Sequence, residues 1–71
     1  MEQNFKISLA AARVNAGMTQ VDASKALGIT KQTLINYESG KTSPTVALAR
    51  RISEVYGVPI DCISFLSKSA I

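Results

Sequence analysis

The sequence of 71 residues contains no histidine and one cysteine, Cys62. The first absence removes the commonest metal ligand and the side chain that most readily exchanges protons near neutral pH. The second excludes an intramolecular disulfide and makes a reducing, cytoplasmic setting the natural one. There is no close pair of carboxylates either, so no acid–base or nucleophilic constellation can be assembled. An enzyme is rejected on that ground, and no cofactor or metal is implied. No apolar run approaches the roughly 18 residues of a membrane span. The opening MEQNFK has neither the basic region nor the apolar core of a signal peptide. Repeats, low-complexity tracts and dividing linkers are all missing. Nothing alternates with period two beyond four or five residues, so strands are not expected. Acidic residues are the scarcer charge, five against eight Lys and Arg, for a net +3. That excess alone says little about a partner. Its placement says more: Lys31, Lys41, Arg50 and Arg51 fall within one stretch where only Glu38 opposes them.

What is present is helix punctuation. A composition 46% hydrophobic and 18% charged is that of one globular domain. A chain this short buries only about 60% of its unfolded surface and is modestly stable. Asn4 can cap a first helix from Phe5 to about Asn15, ended by Gly17, with Phe5, Leu9, Ala12 and Ala16 as its apolar stripe. Thr19 caps a second helix from Gln20 to about Leu27, with Asp22 completing an approximate capping box and Gly28 as the stop. Thr30 caps a third, Lys31 to Glu38, ended by Gly40. Ser43 then caps a fourth helix with Pro44 in its first turn, running to Tyr56 before Gly57, with Val46, Ala49, Ile52 and Tyr56 inward. A short fifth, Asp61 to Leu66, follows Pro59. The expectation is an all-α bundle of five short helices, residues 1–66 forming the domain and 67–71 a frayed tail.

The second and third helices meet through a tight Gly-containing turn, the helix-turn-helix arrangement. Leu27, Ile29, Leu34 and Tyr37 can seal the angle between them, which sends Lys31, Gln32, Thr33 and Asn36 outward. Amide side chains can bond adenine at two positions, and lysine can donate to a guanine edge. On an isolated helix such a face is more often just a solvated surface. Its neighbourhood argues otherwise. The second helix begins at Gln20, where free N–H groups and the helix dipole favour a phosphate. Ser39, Gly40 and Lys41 after the third helix can grip another.

The pattern GMTQ, LGIT, YESGK and a following proline resembles the phage-repressor-like helix-turn-helix family, the XRE-type DNA-binding domains of Cro and repressor proteins. The matching residues are Arg13, Gly17 to Gln20, Ala26 to Thr30, Leu34, Tyr37-Glu38, Gly40-Lys41, Pro44, Gly57-Val58 and Asp61. The resemblance runs from Phe5 to about Phe65. It implies a lambda-repressor-like fold and double-stranded DNA as the partner. It implies that Lys31, Gln32 and Asn36 read base edges in the major groove. Gln20 would hold a phosphate and brace the first residues of the recognition helix, while Thr33, Ser39 and Lys41 would contact backbone or groove edge. Arg13 and Glu38 fall where the family places an ion pair. The chain departs from the family at Ala23-Ser24, where a large apolar residue followed by Ala is usual. Less burial under the second helix is expected there, with Val21 in partial compensation.

Other residues carry weaker cases. Arg50-Arg51 reads as solvated, Cys62 as a small apolar residue, and Tyr37 and Tyr56 as packing. Leu48, Val55, Cys62, Phe65 and Leu66 are apolar beyond the inward set, which suggests a homodimer through the C-terminal surface. A two-fold dimer would bring each recognition helix to one half-site, and there is no room for a separate dimerisation domain. The expected function is therefore a sequence-specific DNA-binding transcriptional regulator. A repressor from a phage, prophage or mobile element fits best, with an antitoxin-like regulator or a protein-interaction module that kept the fold as the alternatives.

Overall fold

The computed structural model describes residues 6–65, and its elements run β1 (Ile7–Ser8), α1 (Leu9–Asn15), α2 (Gln20–Leu27), α3 (Lys31–Ser39) and α4 (Val46–Tyr56), then a 3-10 turn (Ile60–Cys62) and β2 (Ile63–Ser64). Four α-helices therefore stand where five were expected, and two short strands where none was. The strands pair in parallel, Ile7 with Ile63 and Ser8 with Ser64. This pairing takes Ile7 and Ser8 out of the first helix. Ser8, in extended conformation, caps α1 instead, its side chain accepting from Ala11 N–H at 3.0 Å. The expected cap at Asn4 and start at Phe5 lie outside the described residues, as do Leu66 and the tail.

The remaining helix limits follow their caps. Thr19 and Asp22 close a full capping box, the Thr19 hydroxyl accepting from Asp22 N–H at 3.0 Å and the Asp22 carboxylate from Thr19 N–H at 3.2 Å. Thr30 caps α3 by accepting from Thr33 N–H at 3.0 Å. Gly28 turns the chain out of α2 at φ 72°, a left-handed conformation that glycine adopts without the strain of a Cβ. The fourth helix starts two residues later than expected. Thr45, not Ser43, supplies the capping oxygen, accepting from Leu48 N–H at 3.1 Å, so Pro44 precedes the helix. The C-terminal helix expected from Asp61 shrinks to a single 3-10 turn, because Ile63 must extend to pair with Ile7.

The core is one cluster: Leu9 and Ala12 from α1, Ala23 and Leu27 from α2, Leu34 from α3, Ile52 and Tyr56 from α4, and Ile63 from β2. Leu34 and Ile52 are fully buried, each contributing about 1.5–3 kcal/mol of hydrophobic stabilisation. Val46 was expected inward but is 72% exposed, because it opens α4 and the inward positions begin one turn later at Ala49. Ala23 is completely buried, so its lack of bulk opens no surface, and Val21, at 44% exposed, contributes no compensation. Leu48, Val55 and Phe65 are half-buried against the core rather than free. Among the described residues, the exposed large apolar side chains are Val14, Val21, Val46 and Ile60, scattered over four elements.

Candidate nucleic-acid interface

The helix-turn-helix corner is built from α2 and α3. Leu27 and Leu34 are buried within it, while Ile29 and Tyr37 pack against the same cluster half-exposed. The Ser24 hydroxyl bonds back to Val21 C=O at 3.0 Å, so this buried polar group is satisfied inside its own helix. With Leu34 turned inward, Lys31 and Gln32 are exposed, and Thr33 and Asn36 are half-exposed beside them. A nine-residue helix is about 13 Å long, comparable with the ~12 Å width of the major groove.

The individual side chains are organised rather than merely solvated. Gln32 Nε2 donates to Asn36 Oδ1 at 3.1 Å, joining two of the expected base readers into a pair. The hydroxyls of Thr30 and Thr33 lie 2.8 Å apart. Asn36 C=O accepts from Lys41 N–H at 2.9 Å, from Thr42 N–H at 3.3 Å and from the Ser39 hydroxyl at 3.1 Å. One residue of α3 thus folds the following loop back, which presents Ser39 and the exposed Lys41 beside the helix end. Gln20 sits at the first position of α2, where the capping box leaves its own N–H and that of Val21 without helical acceptors. Its side chain does brace α3, though at the C-terminal end rather than at the first residues as expected: Gln20 Nε2 donates to Glu38 Oε1 at 3.0 Å.

Glu38 is the anchor behind this face. Arg13 Nε donates to Glu38 Oε2 at 2.7 Å and Arg13 Nη2 to Glu38 Oε1 at 3.4 Å, a forked pair linking α1 to α3. Arg13 Nη1 also donates to Met18 C=O at 2.9 Å, so the same guanidinium holds the chain entering α2. Beside them is Tyr56, whose hydroxyl is buried with no hydrogen-bond partner. Burial, and secondarily the Glu38 carboxylate, push its pKa up to about 12, against a smaller opposing pull from Arg13. A raised phenol pKa favours the protonated form in the folded state. The fold is therefore unaffected by ionisation of this group below the ordinary value near 10 and loses stability as pH rises from there toward 12, because the unfolded chain ionises first. Tyr56→Phe removes an unsatisfied buried hydroxyl and should stabilise the fold by about 1 kcal/mol. Urea midpoints of the two proteins at pH 8 and pH 11 check this, and the variant should lose less stability between them.

Arg51 and Arg50 are exposed on α4, and Arg51 Nη2 lies 3.4 Å from Ala26 C=O near the end of α2, where a cation suits the helix dipole. No group of three or more acidic, Cys or His side chains is close enough to hold a metal ion among the described residues.

The Helix-turn-helix family model matches residues 9–61. The chain belongs to the XRE-type helix-turn-helix family. Helix-turn-helix proteins of this type are DNA-binding transcriptional regulators, and the relatives carry matching names. An uncharacterized HTH-type transcriptional regulator of Methanocaldococcus jannaschii is 44% identical over 46 residues, covering 65% of this chain and 70% of that one. A second, of Methanothermobacter thermautotrophicus, is 40% identical over 45 residues, 63% of this chain and 65% of that one. The cryptic phage CTXphi transcriptional repressor RstR of Vibrio cholerae is 33% identical over 48 residues, 68% of this chain but only 43% of that protein. No solved structure matches the chain significantly. Among the described residues, no helix of this helix-turn-helix protein is long and apolar enough to cross a membrane.

Proposed function

We propose that this helix-turn-helix protein is a repressor of phage, prophage or mobile-element type that reads an operator in double-stranded DNA through the major groove. The observation that carries the reading is the face of α3 formed by exposed Lys31 and Gln32 with half-exposed Thr33 and Asn36, backed by Leu34, with Gln20, Ser39 and Lys41 gathered at the C-terminal end of the same helix. Likeness to a phage repressor supports the repressor assignment. In this reading Lys31, Gln32 and Asn36 form the base-reading head. Gln20, Thr33, Ser39 and Lys41 hold phosphates or the groove edge.

Readers and clamps have separable signatures. Gln32→Ala should cost about 1–3 kcal/mol on the operator and relax preference for sequence. Lys41→Ala should weaken binding to every sequence alike and flatten the salt dependence by about one phosphate's worth. The experiment is titration of purified protein against DNA from upstream of its own gene and against a scrambled duplex, each at two salt concentrations. Tight, salt-steep binding to the upstream piece alone is the expected result. Equal weak binding to both would turn the assignment toward a protein-interaction module.

A single module with a handful of phosphate contacts binds weakly at physiological salt, and a two-fold pair on half-sites about 34 Å apart corrects this. The protein is therefore expected to act as a homodimer on its operator. Among the described residues, Leu48, Val55 and Phe65 are half-buried against the core, so DNA is expected to help bring the two copies together. Sedimentation should accordingly give two copies per operator, and one copy per duplex would refute the pairing.

A further inference from the structure

The amide pair on α3 divides its labour unequally. Asn36 is half-buried and its main-chain oxygen is already the acceptor for Ser39, Lys41 and Thr42, so this residue is fixed to the body of the helix end. Gln32, one turn earlier, is exposed and has a longer, freer side chain. The 3.1 Å bond from Gln32 Nε2 to Asn36 Oδ1 ties the free member to the fixed one. A glutamine amide has two donor hydrogens and an acceptor oxygen with two lone pairs. After one hydrogen goes to Asn36, Gln32 still offers an N–H and Oε1 side by side. That donor–acceptor edge is the one that matches adenine, whose N7 accepts and whose N6 amino group donates in the major groove. Asn36 keeps its N–H donors and a second lone pair, but it is the shorter, half-buried member, so the exposed Gln32 edge is the one that reaches out toward a base.

We propose that Asn36 is a positioning residue that orients Gln32 on an adenine, so that the two residues specify one A·T pair of the half-site rather than two separate base pairs. The inference rests on the operator-reading function proposed above. Ordering the glutamine before binding spares the rotamer entropy that a free side chain loses on contact.

The test is a base-preference profile. Every position of the half-site is substituted in turn, and affinities are measured for the natural protein, Gln32→Ala, Asn36→Ala, the double variant and Asn36→Asp. Alanine is a better helix former than asparagine, and among the described residues the Asn36 side chain bonds to Gln32 alone, so the variants stay folded. The natural protein should prefer adenine at one position by roughly 5- to 150-fold. Gln32→Ala and Asn36→Ala should both erase that preference and leave the other positions unchanged. The double variant should bind no more weakly than Gln32→Ala. Asn36→Asp keeps an acceptor for Gln32 and should keep the adenine preference, even as its charge weakens binding overall. Loss of preference at two different base pairs, multiplicative losses in the double variant, or no preference left in Asn36→Asp would overturn the positioning role while leaving operator reading intact. A natural protein with no base preference at any position would instead overturn operator reading, and this inference with it.

Discussion

Replacing Arg13 or Glu38 with alanine is expected to remove a large share of the domain's stability. The two side chains are 13% and 8% exposed, and their forked contact includes a 2.7 Å bond. Removing one partner strands the other charge in a poorly solvated site, which typically costs about 3–5 kcal/mol. Total stability for a domain of this length is roughly 4–10 kcal/mol. The loss is therefore about a third or more of the total, and all of it at the low end of that range. It also falls on three helices together, because Arg13 holds Met18 C=O ahead of α2 and Glu38 holds Gln20 within it. Urea unfolding followed by circular dichroism measures the effect. Exchanging both partners for apolar residues of similar volume should recover much of the loss, since well-packed apolar groups can replace a buried pair with little penalty. An unmoved midpoint in Arg13→Ala would mean that the pair holds nothing.

The second large effect is expected at Leu34. It is the one fully buried residue that α3 sends into the core, and the reading face stands on the opposite side of the same helix. Leu34→Ala should cost about 2–5 kcal/mol through lost burial and the void left behind. Leu34→Met, nearly volume-conserving, should stay within about 1.5 kcal/mol. Denaturation midpoints give the stabilities. Operator affinity, measured at a temperature where both variants remain folded, then reports whether the base-reading residues depend on this anchor. The alanine variant should lose affinity as α3 loosens, and the methionine variant should keep it.

The sequence discloses best what is decided within four residues. Thr19 with Asp22, Thr30, Gly28, Gly40 and Gly57 act through neighbouring N–H and C=O groups, and their helix limits appear where expected. The start of α4 was misplaced because Ser43 and Thr45 both offer a capping oxygen around Pro44, and local chemistry does not rank them. The strand pair was invisible for a different reason. Ile7–Ser8 and Ile63–Ser64 are too short to show alternation, and their pairing spans almost the whole chain. The resemblance to XRE-type proteins located Arg13 and Glu38 correctly as partners. Neither it nor the spacing showed that Gln20 would join the same carboxylate, or that Gln32 and Asn36 would bond each other. Those contacts depend on which of several rotamers each long side chain adopts once its neighbours are in place.

The parallel pairing of Ile7 with Ile63 has a consequence for the architecture of anything built from this domain. The chain enters and leaves the helical body on adjacent strands, about 4.8 Å apart. Entry and exit so close together are what domain insertion and circular permutation need. The helical body can be spliced into a surface loop of another protein through a short joint. Because the strands are parallel, a linker long enough to reverse the chain can carry residue 64 back to residue 7 while new ends are opened between α3 and α4. The corner formed by α2 and α3 passes through either operation uncut.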